Sequence, residues 1–219
     1  MYTIAISALI GLLAVGVWTA LDWWKGWQMG IVLFVLVSAA SFILLSRQLA
    51  RRIEPRFLAL QKQIQANQIP LAIKELESML PMGRWQILLE GQIHAQIGLL
   101  TYASGDMERA EKHLAEAGYR ATEAQVAHAA LLYRTNRWPK AREVLDNAIR
   151  MNKKQMLPYH VYAWLLLKEG DRNGAIAKLL AAQKVEPSNE STSENLARLQ
   201  NGKDLSMKRF GMIWYGLQL

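Results

Sequence analysis

The side chains best suited to chemistry in this sequence are four histidines, and no cysteine accompanies them. Histidine pairs that ligate zinc from one helix stand three or four residues apart, and no two of these four have that spacing. We therefore expect all four to be ordinary helix residues rather than metal ligands. The histidines are His94, His113, His128 and His160.

The acidic residues give no better sign of catalysis. Glu108, Glu111 and Glu143 stand among lysines and arginines, a pattern typical of a solvated helix face. The sequence has no phosphate-binding glycine loop, no zinc-protease motif and no serine-nucleophile motif. Without cysteine there is no thiolate nucleophile and no disulfide. We expect no catalytic residue, no metal and no cofactor, and hence not an enzyme.

Two uncharged apolar runs dominate the first fifth of the chain, at residues 1–21 and 26–46. An apolar helix of roughly 20 residues crosses the hydrocarbon core of a bilayer. No basic residue precedes the first run, unlike the start of a secretory signal peptide. The sequence predicts two retained transmembrane helices, roughly 3–21 and 28–46, that form a hairpin.

Tryptophan and arginine mark the two ends of this hairpin. Tryptophans concentrate at membrane interfaces, and basic residues accumulate on the cytoplasmic side. The basic stretch follows the second run, so both termini should face the cytoplasm, at a bacterial inner membrane. The net charge of +8 is concentrated in part there, and we expect no nucleic-acid binding. The expected interface residues are Trp18, Trp23, Trp24, Trp27, Arg47, Arg51 and Arg52.

Small residues recur at helical spacing within the apolar runs. Ser7 with Gly11, and Gly16 with Ala20, are four-residue steps of the kind that lets membrane helices approach closely. They can serve packing within the hairpin or packing onto the helices of a partner. We favour the hairpin, because antiparallel neighbours joined by a short loop must meet.

A repeat anchored on alanine follows the hairpin. Ala72, Ala110, Ala141 and Ala175 are separated by 38, 31 and 34 residues, close to the 34-residue period of a helix–turn–helix repeat. Five residues before each anchor stands Gly or Asn, the residues that most readily adopt positive φ at a helix end. These four residues are Asn67, Gly105, Asn136 and Gly170.

Small and leucine residues recur in the same register and should let paired helices pack closely. The expected packing set is Gly98, Ala110, Leu114, Ala129, Ala141, Leu145, Ala163, Ala175 and Leu179. The stretch LPYHVYAWLLLKEGDRNGAIAKLLAAQKVEP shows the pattern best. Over roughly residues 53–187 the chain resembles the tetratricopeptide repeat family, and its layout is similar to that of HemY-type proteins. An ordinary amphipathic helical bundle is the alternative.

The resemblance implies an all-α protein: a transmembrane helical hairpin followed by an α-solenoid of three to four helix pairs with a capping helix. The expected divisions are a hairpin at 1–46, a basic juxtamembrane segment at 47–54, the repeats at 55–201 and an aromatic tail at 202–219. Pro55 predicts a bend between helices at 28–53 and 55–67. Ser191 and Glu194 predict a capping box for the last helix.

The C-terminal tail, DLSMKRFGMIWYGLQL, does not fit the repeat. Phe210, Trp214 and Tyr215 are possible partner-binding residues, since an exposed aromatic patch is a liability unless it is used. We expect the tail instead to fold back on the repeats and to leave their groove to the partner. That partner is either a peptide or helix in the groove or helices packed on the hairpin.

These features favour a membrane-anchored scaffold or adaptor that recruits or assembles a protein partner, as an accessory subunit of an envelope complex. The alternative is a chaperone-like or quality-control factor in secretion or envelope biogenesis. A subunit that is active only with another chain is a third class. Paired-helix repeats present a concave surface suited to peptides and helices.

Overall fold

The computed structural model describes residues 1–20 and 27–219, and all regular structure in those residues is helical. The predicted all-α class is therefore confirmed for this part of the chain. The chain divides into two compact units, Met1–Ile93 and His94–Leu219. The predicted interface residues Trp23 and Trp24 lie outside the described residues.

The first unit begins with two apolar helices, α1 (Tyr2–Ala20) and α2 (Trp27–Gln65). Both are long and apolar enough to cross a membrane, with mean hydropathies of 2.0 and 2.5 in their most apolar windows. Their leucines are largely uncovered, with Leu13 62% and Leu36 63% exposed. A soluble protein would bury such side chains, whereas a bilayer would cover them.

Small residues on α1 form its contact with α2. Thr3, Ser7 and Gly11 are buried, and a Cβ on Gly11 would collide with the Ser38 hydroxyl. A Cβ on Gly30 would lie 3.7 Å from Val15. As the α1 position rises from 11 to 15, its α2 neighbour falls from 38 to 30, so the two helices run antiparallel as a hairpin.

The second small-residue step takes no part in this packing. A Cβ built on Gly16 would have no neighbouring atom of the described chain within 4 Å, so Gly16 with Ala20 is not a contact between the two helices. Of the two predicted steps, Ser7–Gly11 is the one at the close approach between the described parts of α1 and α2.

Helix α2 continues through Pro55 as one helix of 39 residues, so the predicted break between 28–53 and 55–67 is wrong. A proline removes one backbone hydrogen bond but does not forbid the helix on either side. The juxtamembrane residues 47–54 are accordingly helical. The side chains of Arg47, Arg51 and Arg52 are all exposed on it.

The first unit ends with α3 (Ile69–Gly83) and a loop at residues 84–88 that binds the start of α1. Helix α3 continues through Pro81 to Gly83. The backbone nitrogens of Tyr2 and Thr3 donate to the carbonyls of Arg84 and Trp85 at 3.2 and 3.3 Å. These bonds satisfy N–H groups at the start of α1, which no helix can satisfy internally.

The second unit is a series of helices that pack in chain order. From α5 to α10 each helix contacts the next, and α6 also contacts α8. The helices are α4 (Leu89–Ser104, in this unit from His94), α5 (Met107–Glu116), α6 (Thr122–Arg134), α7 (Trp138–Met151), α8 (Leu157–Lys168), α9 (Arg172–Val185), α10 (Glu190–Gln200) and α11 (Gly211–Gly216).

The predicted turn register is confirmed. Asn67, Gly105, Asn136 and Gly170 all have positive φ, between 56° and 87°. Glycine has no Cβ to clash in this region, and asparagine tolerates it better than most residues. The predicted capping box is wrong: the side chain of Asn189, not Ser191, accepts the Thr192 N–H at 3.0 Å and caps α10.

Candidate partner-binding surface

The predicted packing residues are all buried within the second unit. Gly98 is buried, and a Cβ there would come within 2.7 Å of Leu114, which explains why α4 needs glycine at its crossing with α5. The other eight residues have no exposed surface: Ala110, Leu114, Ala129, Ala141, Leu145, Ala163, Ala175 and Leu179.

The C-terminal tail begins by binding α10. The side-chain amide of the buried Asn195 donates to the Ser206 carbonyl at 3.0 Å, and its oxygen accepts the Ser206 N–H at 2.7 Å. The next residue, Met207, is buried. This reciprocal pair satisfies both backbone groups of Ser206 and directs the tail back over the preceding helices.

The tail then crosses α8 through two aromatic contacts. The Phe210 ring lies 4.9 Å from the His160 ring, and the Trp214 ring packs edge-on against Trp164 at 5.1 Å. An edge-to-face pair such as Trp164 and Trp214 typically contributes 0.5–1.5 kcal/mol beyond the area it buries. Phe210 and Trp214, which the sequence analysis names as possible partner-binding residues, thus pack against helix α8 of the same chain.

The tail ends on α4 and α6. The Tyr102 hydroxyl donates to the Leu217 carbonyl at 2.6 Å, and the Arg134 guanidinium donates to the Gln218 side chain at 2.9 Å. Leu217 is buried. The predicted fold-back is therefore present. The tail covers part of the surface of α4, α6, α8 and α10.

An open groove remains beside the tail, with a volume of about 640 Å³. Its charged lining carries both signs, since Arg120, Lys154 and Arg209 face Glu123 and Glu186. The apolar part of the lining comes from α4, α6, α8 and the tail. These residues are Ala95, Leu99, Ala121, Ala124, Met156, Leu157, Phe210 and Ile213.

The tail leaves three apolar side chains in water. Met212 is 84% exposed, Tyr215 is 62% exposed and Ile213 is 42% exposed. Of the three possible partner-binding residues, only Tyr215 is largely exposed, while Phe210 lines the groove and Trp214 packs inward. Ile213, which was not singled out from the sequence, lines the groove as well.

Two histidines come together in a way the spacing did not predict. The Nδ1 atoms of His94 on α4 and His113 on α5 lie 3.1 Å apart. The pair forms because α4 and α5 approach closely at Gly98 and Leu114, a contact between helices that linear spacing does not encode. Within residues 1–20 and 27–219, no group of three His, Asp or Glu side chains could hold a metal.

An ion pair joins the first helix pair of this unit to the next. The Arg137 guanidinium, just before α7, binds both carboxylate oxygens of Glu111 on α5 at 2.5 and 2.6 Å. This bidentate bond keeps the pKa of Glu111 below its usual value, against the opposing effect of burial. Glu111 is therefore a tie between helices and not simply part of a solvated face.

Burial lowers the pKa of His160, the histidine beneath Phe210, while backbone groups of Met156 and Ser191 act in the opposite sense. The side chain is fully buried, and its Nδ1 lies 3.0 Å from the Met156 carbonyl. The folded protein thus favours neutral His160, and the unfolded chain takes up the proton more readily.

We expect the free energy of unfolding to fall as the pH drops below about 6.5, the usual histidine pKa. Above that value His160 is neutral in both states and adds no pH dependence. Urea unfolding at several pH values across this range measures that dependence. The free energy of unfolding should change less with pH for His160→Gln than for the unsubstituted chain. Burial also lowers the pKa of His128, so part of the pH dependence should remain in the His160 variant. An unchanged slope in the variant would contradict the assignment to His160.

The predicted membrane-interface residues lie on the first unit. Trp18 is half-buried near the end of α1, and the three arginines are exposed on α2. Trp27 begins α2, and its side chain lies outside the described residues. The structure therefore describes the arginine end of the hairpin more fully than the tryptophan end.

No family model matches the chain, and no curated protein matches it.

Proposed function

We propose that this protein is a membrane-anchored adaptor of tetratricopeptide-like helix pairs that recruits or assembles a protein partner at a bacterial inner membrane. It would serve as an accessory subunit of an envelope complex rather than as an enzyme. The groove of about 640 Å³ beside the tail is the observation that carries this proposal. Stacked helix pairs form such grooves, and peptides or helices bind in them.

The anchor is supported by the uncovered apolar surface of α1 and α2. None of the most apolar window of α2 is buried within the protein. Neither predicted span carries a charged residue, so an ion pathway through this chain alone has no groups to use. The anchor would hold the helix pairs beside the bilayer without transporting anything itself.

The orientation can be tested directly because the sequence has no cysteine. Lys25 lies between the two predicted spans. We expect Lys25→Cys to react with a maleimide that cannot cross the inner membrane, in cells whose outer membrane is permeabilised and whose inner membrane is intact. Lys140→Cys in the second unit should react only after lysis. The reverse pattern would place the helix pairs in the periplasm.

The adaptor proposal predicts loss of one partner when the groove is altered. Glu123→Arg reverses a charge in the groove lining, and Glu143→Arg makes the same change on α7 outside that lining. We expect a detergent pull-down of the full chain to retain one stoichiometric protein with the Glu143 variant and to lose it with the Glu123 variant. Equal retention by both variants would remove the groove as the binding site.

A chaperone-like or quality-control factor is the second candidate. The exposed Met212 and Tyr215 favour it, since exposed apolar patches bind many clients weakly. The same pull-down separates the two functions, because a chaperone would retain many substoichiometric proteins rather than one.

A further inference from the structure

The loop at residues 84–88 carries three exposed apolar side chains at the end of the hairpin. Trp85 is 41%, Ile87 48% and Leu88 45% exposed. Leu88 also has a φ of 71°, a conformation that bulky residues rarely adopt. Burial of the leucine does not account for this conformation, because nearly half of its side chain is open.

Hydrogen bonds fix this loop to the first residues of α1. Besides the backbone bonds from Tyr2 and Thr3, the Thr3 hydroxyl donates to the Trp85 carbonyl at 2.7 Å. The Tyr2 ring packs edge-on against Trp85 at 5.6 Å. The loop therefore holds an indole beside the point where the apolar helix α1 begins.

A pocket of about 320 Å³ lies between this loop, α1 and α2. We call it the span-end pocket, and its lining is Thr3, Leu45, Gln48, Leu49, Arg52, Met82 and Trp85. The α2 members change from apolar to cationic along one face, from Leu45 inside the uncharged run to Arg52 beyond it. That change takes seven residues, or about 10 Å of helix.

Arg52 is the charged group of the span-end pocket, and no hydrogen bond or ion pair joins it to any residue of the described ranges. Its neighbour Arg56 differs, because it lies 3.9 Å from the Glu75 carboxylate and donates to the Met82 sulfur. The pocket thus presents one uncompensated cation at the end of an apolar wall.

We propose that the span-end pocket binds an anionic glycerophospholipid, an inference that rests on the membrane anchoring proposed above. The lipid phosphate would lie against Arg52 and the Gln48 side chain, with the glycerol beside Trp85. The acyl chains would leave along Leu49 and Leu45 toward the apolar run. The pocket volume suits a headgroup and its glycerol, not a whole lipid.

Three physical features favour this ligand. Charge-assisted bonds from arginine to phosphate are among the strongest polar contacts. Indole rings prefer the depth of the headgroups, and basic pockets between membrane helices recognise anionic headgroups. A partner helix could cover the same apolar wall, but it would need an acidic side chain opposite Arg52. A phospholipid already carries that negative charge in its phosphate.

The full chain, purified in detergent and offered equal amounts of phosphatidylglycerol and phosphatidylcholine with identical acyl chains, tests the site by native mass spectrometry. Both lipids offer a phosphate to Arg52, but phosphatidylcholine also brings the cation of its choline beside the uncompensated guanidinium, which repels it. We therefore expect a preference of about tenfold for phosphatidylglycerol, or about 1.4 kcal/mol. Arg52→Gln should bring the two lipids close to parity. Arg51→Gln, an equal charge change at an exposed neighbour outside the pocket lining, should leave the preference within about twofold of that of the unchanged chain.

Other outcomes would overturn the site. Equal losses in both variants would mean diffuse attraction to the basic stretch, and displacement of the lipid by excess inorganic phosphate would mean a plain anion site. Loss of a co-purifying membrane protein in Arg52→Gln, with lipid preference unchanged, would mean a partner helix. Release of the chain from membranes by carbonate would instead defeat the anchoring, and a failed pull-down would defeat only the adaptor function.

Discussion

Replacing Ala141 or Ala175 with tryptophan is expected to lower the free energy of unfolding by about 3 kcal/mol or more. Overpacking a well-packed core typically costs 1–3 kcal/mol and sometimes more. Neither alanine has any exposed surface, and both lie in the hydrophobic core of the second unit. The larger ring would have to push two helices apart.

Lys140→Trp is the matched control, because Lys140 stands next to Ala141 but is exposed. Thermal unfolding of the full chain in detergent, followed by circular dichroism, should show a large loss for both alanine variants and a small change for the control. Equal losses at Ala141 and Lys140 would show that the alanine register does not determine packing.

Removing the Trp214 side chain together with that of Leu217 is expected to release the tail. Trp→Ala in a core typically costs 3–5 kcal/mol and Leu→Ala 2–5 kcal/mol. Trp214 is half-buried while Leu217 is 3% exposed, so we expect about 3–4 kcal/mol for Trp214→Ala with Leu217→Ala. Hydrogen exchange in residues 203–219 should rise in parallel.

Met212→Ala is the control within the same tail, because that side chain is 84% exposed. It should leave both the melting curve and the exchange of residues 203–219 nearly unchanged. If the Trp214→Ala, Leu217→Ala variant melted normally yet lost a co-purifying partner, the tail would be the segment that binds the partner. The groove would then not be the partner's binding site.

The sequence predicted local structure where one residue type has a physical reason to recur. Asn67, Gly105, Asn136 and Gly170 were placed at positive φ because few other residues tolerate it, and all four adopt it. The two candidate membrane helices could also be predicted, because the length of an apolar run and its lack of charge are enough to identify such a helix. The continuation of α2 through Pro55 does not follow from local preference, because a proline disfavours the helix at one position while the helical segments on both sides maintain it.

Contacts between segments that are distant in the chain could not be predicted from the sequence. Nothing in the residues of the loop at 84–88 shows that its carbonyls bind the start of α1. The His94–His113 pair and the Arg137–Glu111 tie depend on how helices cross. The tail was expected to fold back, but the individual contacts of Phe210 and Trp214 do not follow from an aromatic composition.

If α2 spans the bilayer as proposed above, its unbroken length makes the position of its C-terminal end depend on bilayer thickness. The helix extends 19 residues beyond its apolar run, from Arg47 to Gln65, or about 28 Å. A span longer than the local hydrocarbon adjusts by tilting. A tilt of about 10° would displace Gln65 sideways by about 5 Å relative to Arg47. A thinner membrane would thus move the end of α2 that leads into α3, and the helix would bend most easily at Pro55.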